Sequence, residues 1–425
     1  MDVLIADVIG DVGLVLILAK IFGFLAKRCG QPSVVGQIIA GIMLGPSLLG
    51  RLPGHLSSHL FPRTALPSLT VLSQLAIVLF MFVAGYELGQ RPLNRQCRIG
   101  LLVAAAAFSV PMIMGSGAVL VFKSAFAAQG QVHVSSSFIL FTGVALSITA
   151  LPVLAAITRE RGIAGTVAGT TSMTAAGIMD VAAWVLLAAA LVGTAHKPSR
   201  PWPVMLLLIC GFATIMLLVV RPALRRWVSR PRSLLSNQLP VALALALGSA
   251  WVTGTLGLHP VFGGFLAGLT MPSADGTPDP EILRPMEEVG SMLLPLFFVV
   301  TGLSVNVEDL KPNAFMLLAV LCAIASVAKL APAYAASRLG GLDPHEAATV
   351  AVLVNTRGLT ELIALNVALS AGLIGQQLFS VFVLMAVIMT VLTAPLLGLI
   401  RTPVTSLLAS ERQPSPSPVN ANDLQ

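Results

Sequence analysis

Runs of apolar residues long enough to cross a hydrocarbon core recur along this chain almost from end to end, and such runs have few places to fold except a bilayer. They fall at 8–26, 33–50, 69–88, 99–122, 136–157, 164–193, 203–220, 239–256, 259–272, 290–305, 313–337, 346–370 and 377–400. The pattern predicts an all-α polytopic membrane protein with thirteen transmembrane helices. Composition agrees, since 56% of the 425 residues are hydrophobic and only 10% are charged, far from the balance of a water-soluble domain.

The charges that remain report topology. Sixteen of the twenty-five Lys and Arg residues fall in one set of alternate connections and in the tail, among them Lys27, Arg28, Arg161, Arg221, Arg225, Arg226 and Arg338, and six fall in the other set. The excess of cations on cytoplasmic connections then puts the N-terminus outside and the C-terminus in the cytoplasm, as expected for an integral plasma (inner) membrane protein. The net charge of +7 is spread over these connections, so it does not make a nucleic-acid surface. Asp2, Asp7 and Asp11 lie at the start of the first run and Lys27 and Arg28 follow it, the reverse of a secretory leader's charge order. Cys29, Cys97, Cys210 and Cys322 show no C-x-x-C spacing, which points to neither a disulfide framework nor a zinc site.

An internal echo gives the order of the spans. Gly36-QIIAGIMLGP in span 2 matches Gly263-GFLAGLTMP in span 9, and Leu79-FMFVAG in span 3 matches Leu296-FFVVTG in span 10, at separations of 227 and 217 residues. Two six-span units follow, joined by span 7 as a linker helix. The extra span inverts one unit relative to the other, the arrangement of secondary transporters whose sites lie at broken helices near the midplane.

Asp180 is the only charged residue in the run from Gly162 to Gly193. An ionisable group at mid-membrane is costly, so it marks a functional site by default. Two spans carry signs of a break. Span 5 reads Ser147-Ile148-Thr149-Ala150-Leu151-Pro152, and the equivalent place in span 12 reads Asn355-Thr356-Arg357-Gly358. Proline removes a backbone donor, glycine loosens the helix, and the freed carbonyls and hydroxyls can coordinate a cation. The alternative for span 5 is a kinked helix whose Ser147 and Thr149 bond back to their own carbonyls; a polar break in corresponding spans weighs against it.

A carboxyl group taken out of water favours its neutral form, and a bound cation restores the charged one, so proton and cation compete for Asp180. If the protein alternates between inward- and outward-facing states only when that group is neutralised, exchange follows without ATP and without a cofactor. One carboxylate carries one proton or one monovalent cation, which predicts electroneutral 1:1 exchange.

Taken together, Ser147-ITALPVL, Asp180-VAAWVLLA, His259-PVFGGFLAGLTMP, Leu294-PLFFVVTGL and Asn355-TRGLTELIAL resemble, in order, the sodium/hydrogen exchanger family of monovalent cation:proton antiporters. The match is to its second branch, which includes potassium-efflux and plant cation exchangers. The resemblance spans residues 8–400. It implies a membrane antiporter domain over 1–405, with spans 1–3 and 8–10 as a dimerisation panel, spans 4–6 and 11–13 as the ion-transporting core, and spans 5 and 12 as crossed discontinuous helices. It makes Asp180 the ion-binding carboxylate, with Thr149 and Ser147 beside it, and it implies a homodimer. The chain departs from the family pattern in three places. Met179 stands where relatives carry a second aspartate or an asparagine; span 10 has no lysine; and no nucleotide-binding regulatory domain is expected, residues 406–425 reading as a disordered cytoplasmic tail.

Other intramembrane charges have structural readings beside functional ones. Arg357 and Glu361 lie four apart on one helix, adjacent on the same face; they read as an ion pair that neutralises a broken helix, or as Arg357 fixing the half-helix near the site while Glu361 tunes or gates access. Lys329 in span 11 either reaches an interface or pairs with carbonyls of span 5 or 12. An aspartyl intramembrane protease needs a second carboxylate near Asp180, and a serine type needs a nucleophile motif beside a base such as His259, so an enzyme is not expected. The competing function is a transporter of the same fold that exports an organic metabolite or ionophore in a proton-coupled cycle. The choice between Na⁺ and K⁺ is not legible in the residues.

Overall fold

The computed structural model describes residues 2–45, 62, 64–89, 95–131, 134–192, 202–228, 238–256, 260–272, 277–307 and 310–400. The tail 406–425 and His259 lie outside the described residues. The described residues are helical, in this order: α1 (Asp2–Arg28), α2 (Ser33–Leu44), α3 (Leu66–Gly89), α4 (Arg95–Val121), the short α5 (Lys123–Ala128), α6 (Ser136–Ser147), α7 (Leu151–Glu160) and α8 (Val167–Val192). Then come α9 (Trp202–Ile215), a π-helical segment Met216–Val220, α10 (Arg221–Val228), α11 (Gln238–Thr255), α12 (Pro260–Thr270) and α13 (Pro280–Leu303). The last four are α14 (Pro312–Leu339), α15 (Pro344–Val354), α16 (Leu359–Ser370) and α17 (Gln376–Leu399). By length and composition, nine spans among the described residues can cross a membrane, one of them the α15–α16 pair, and α2, α6 and α12 are shorter apolar helices.

Helix starts follow local chemistry. Asp279 and Asp343 each precede a proline at the first helical position, and their side chains accept from Glu281 N and Glu346 N at 2.9 and 2.8 Å. A carboxylate there satisfies an orphan amide, and the proline gives up a donor that had no partner. Ser135 does the same for α6 through Phe138 N.

Packing divides the helices into two sets. In one, α3 lies against α12 and α13, and α2 against α1 and α13; in the other, α4 lies against α6, α8 and α14, and α15 against α8 and α14. The echoed glycine motifs make matching contacts in the first set. A Cβ on Gly41 would meet the Val299 carbonyl of α13 at 2.4 Å, and one on Gly268 would meet the Phe82 carbonyl of α3 at 2.1 Å. Only glycine allows backbones this close, which is how membrane helices gain contact without a hydrophobic drive. The span formed by α15 and α16 is 94% buried within the protein, against 22% for α1. That shielded span is where a break in backbone hydrogen bonding is tolerable.

Candidate ion-binding site

Two spans are interrupted at the centre of the second helix set. Helix α6 stops at Ser147 and α7 begins at Leu151, which puts Pro152 in a first turn where its missing amide hydrogen has no helical partner to lose. Helix α15 stops at Val354 and α16 begins at Leu359. The two breaks bond to one another: Ala150 N donates to the Thr356 carbonyl at 3.1 Å, and Thr149 Oγ1 donates to the Val354 carbonyl at 2.7 Å. Gly358 holds φ +147° and ψ −123°, and a Cβ there would fall 2.7 Å from Val153 Cγ2. Glycine is required both for the dihedral and for the approach.

A helix that ends inside a protein leaves carbonyls without partners. At the end of α6 two cations take them. Arg357 donates to the Ala145 and Leu146 carbonyls at 2.6 and 2.5 Å, and Lys329 Nζ donates to Ser147 and Ile148 at 2.6 Å each. Both side chains are fully buried; at a helix C-terminus they meet the negative end of its dipole. Of the two readings open for Lys329, the geometry is the pairing with span 5. At the end of α15 hydroxyls replace cations, Thr149 on Val354 and Thr356 on the Leu353 carbonyl at 2.8 Å.

Arg357 and Glu361 do form an ion pair, 3.5 Å apart, but not on one continuous helix. Arg357 lies in the break, and Glu361 sits in the first turn of α16, where the N-terminal dipole also favours a carboxylate. The Gly358 turn lets the guanidinium reach α6 and Glu361 together. Thr390 Oγ1 of α17 donates to the Arg357 carbonyl at 2.8 Å and holds the break from behind.

Asp180 projects from α8 toward this crossing and is 4% exposed. Its Oδ1 has no hydrogen-bond partner among the described residues. Lys329 acts on it electrostatically and the Thr360 side chain lies against it, although Thr360 Oγ1 is itself without a partner. Met179, fully buried, turns its sulfur toward Thr149 Oγ1 at 3.8 Å. The buried Asn355 Oδ1 also lacks a partner. Unpaired oxygens are rare in protein interiors and call for a ligand or water. Among the described residues no three His, Cys, Asp or Glu side chains gather into a metal-holding group. The oxygens present are carboxyl, amide, hydroxyl and carbonyl, a set that can replace the hydration shell of a cation.

The crossing thus gathers Asp180, Thr149, Asn355, Thr356, Arg357, Gly358, Glu361 and Lys329, with Pro152 one turn away. Ser147 joins through its carbonyl; its hydroxyl is spent on the Phe108 carbonyl of α4 at 2.9 Å and on the Gly143 carbonyl of its own helix at 2.8 Å, the second being the back-bonding of the kinked-helix alternative. Thr360 and Thr390 were not legible as site residues. A hydroxyl directly before Glu361 in an apolar run was a usable sign for the first, and nothing local marks the second.

The family model for the sodium/hydrogen exchanger transmembrane domain matches residues 13–399. The chain is 35% identical over 395 residues to the Na(+)/H(+) antiporter NhaS4 of Synechocystis, covering 92% of this chain and 96% of the relative. It is 29% identical over 392 residues to the Na(+)/H(+)-K(+) antiporter GerN of Bacillus cereus, covering 91% and 94%. With cation/H(+) antiporter 18 of Arabidopsis thaliana it shares 33% identity over 399 residues, 92% of this chain but 48% of the relative, so it spans about half of that protein. The fold is similar to that of the sodium proton antiporter MjNhaP1 from Methanocaldococcus jannaschii, with a TM-score of 0.66 at 14% identity over 92% of this chain and 96% of that one.

Proposed function

The chain belongs to the sodium/hydrogen exchanger family of integral membrane transporters, and from that premise we propose that it exchanges monovalent cations for protons, the two competing for Asp180. One observation carries the reading: a buried carboxyl oxygen with no partner, placed where two interrupted helices meet. Bound proton or bound cation each leave Asp180 neutral, and the neutral site moves between faces; the bare carboxylate stays where it is because carrying a charge through the low-dielectric core is costly. Relatives described as Na(+)/H(+), K(+)/H(+) and Na(+)/H(+)-K(+) antiporters support Na⁺ or K⁺ as the cation.

Exchange is electroneutral and 1:1 in this reading. Glu361 is balanced by Arg357 at 3.5 Å, and Lys329 is committed to two carbonyls, which leaves Asp180 as the carboxyl group free to change occupant. Met179 supplies no second titrating group. The helix set of α1–α3 and α11–α13 serves as the dimerisation panel and the set holding the crossing as the moving core, with the α9–α10 region linking them. Support comes from the two-set packing and from the paired glycine contacts of Gly41 and Gly268, which also fit two inverted units within a thirteen-span chain. The cation excess supports an N-terminus outside and a C-terminus in the cytoplasm of a plasma membrane.

The test is cation-driven proton movement in proteoliposomes. Added Na⁺ or K⁺ discharges an imposed pH gradient with the wild type, and replacement of Asp180 by asparagine stops it while the protein stays folded. No response to either cation in the wild type contradicts the proposal.

A further inference from the structure

Helices α8, α9, α11 and α12 enclose an apolar cavity of about 400 Å³, open on one side. Val181 and Trp184 of α8, Cys210 and Ala213 of α9, and Phe265 and Leu269 of α12 line it. The Thr253 hydroxyl on its wall is spent on the Ser249 and Ala250 carbonyls, and the lining is otherwise almost wholly apolar, the Trp184 indole and the Cys210 thiol apart. Its size is that of a ligand site, and in a bilayer the molecule at hand to fill an apolar opening is an acyl chain.

Arginines lie next to it. The wall residue Leu269 packs against Gly89, whose added Cβ would meet the Leu269 carbonyl at 3.2 Å, and Arg221 reaches the Gly89 carbonyl at 3.5 Å. Arg221 opens α10, and the exposed Arg225 and Arg226 follow in the last turn of that helix. The π-helical segment Met216–Val220 lies between the lining residue Ala213 and Arg221. Arg221 follows the lining residue Ala213 by eight positions on the same helical run, and its guanidinium reaches the Gly89 carbonyl beside the lining residue Leu269.

We propose that this is a binding site for one anionic phospholipid, with the phosphodiester on Arg221 and an acyl chain in the cavity. Charge complementarity selects the lipid: a chain with a neutral headgroup fills the same space without using the arginines. Val181 follows Asp180 directly, so the lipid packs on the helix that carries the carboxyl group.

Trp184 is the reporter, since it lines the cavity with its ring edge-on to Phe262 at 5.1 Å between centroids. With Trp202, Trp227 and Trp251 changed to Phe, Trp184 fluorescence is followed in phosphatidylcholine vesicles containing brominated-chain phosphatidylglycerol or brominated-chain phosphatidylcholine. Phosphatidylglycerol is expected to half-saturate quenching at a mole fraction about fivefold lower, the effect of one well-placed arginine. Arg221→Gln brings the two lipids to within about twofold; Ala213→Phe reduces quenching by both. Inorganic phosphate added in excess leaves quenching unchanged, and displacement by it contradicts a site that needs the acyl chain. Native mass spectrometry of the wild type gives the same comparison without altered tryptophans, one phosphatidylglycerol retained and lost in Arg221→Gln. Equal quenching by both brominated lipids, or equal retention in wild type and Arg221→Gln, overturns the proposal. Neither readout involves transport, so failure here leaves antiport at Asp180 untouched.

Discussion

The Ala150 amide donates to the Thr356 carbonyl at 3.1 Å, so the two interrupted spans are joined by a backbone hydrogen bond at their crossing. Gly358 makes that approach possible, with φ +147° and Val153 on the side where a Cβ would go. Gly358→Ala is expected to cost about 1–3 kcal/mol from the dihedral alone and to lower the thermal midpoint in detergent. Adding Val153→Ala relieves the contact and recovers part of the loss; a midpoint equal to wild type in Gly358→Ala contradicts the dihedral argument.

Arg357 holds two carbonyls of α6 and the Glu361 carboxylate at once. Arg357→Met alone leaves a buried carboxylate uncompensated, an expected loss of about 3–5 kcal/mol. The double change Arg357→Met with Glu361→Leu is expected to be less damaging than Arg357→Met alone. Thermal melts of the two variants compare them directly, and a double variant no more stable than Arg357→Met would show that the 3.5 Å pair is not coupled.

Thr360 lies against Asp180 with its hydroxyl unpartnered. Removing the hydroxyl in Thr360→Val removes one oxygen near the site, worth about 1 kcal/mol. The apparent KM for the cation is expected to rise roughly fivefold at unchanged folding. In the wild type, acidification raises the same KM by up to about tenfold per pH unit, because the ligand must be deprotonated to bind. A KM independent of pH contradicts competition.

Met179 bears on stoichiometry. One net charge moved per cycle is worth about 2.3 kcal/mol per 100 mV, so an imposed potential separates electrogenic from electroneutral exchange cleanly. Wild-type flux is expected to ignore the potential. Met179→Asp adds a second carboxyl group beside Thr149 and is expected to make flux voltage-sensitive. A wild type that generates or responds to a potential contradicts the 1:1 reading.

Much of this was legible in residues because membrane physics is severe. A single charge in the run 162–193 and polar residues at 147–152 and 355–358 stand out against apolar surroundings, and the paired breaks were visible as proline and glycine. Partners were not legible. That Lys329 reaches Ser147 and Ile148 across a sequence separation of about 180 residues depends on how α14 packs on α6, which no local pattern encodes. Arg357 looked like a helix residue because four-residue spacing to Glu361 fits a helix, and the Gly358 turn reproduces that proximity by another route. Thr390 was missed because hydroxyls that bond to backbone are common in membrane helices, and Thr360 because a threonine in an apolar run does not reveal which side chain it will face.

In the proposed exchange Asp180 is the shared site for proton and cation. Cation-dependent proton flux in proteoliposomes containing Asp180→Asn, folded and present in the same amount as wild type, tests it most directly. The expected result is no flux above protein-free vesicles with either Na⁺ or K⁺; retained cation-dependent proton exchange in that variant would contradict the account.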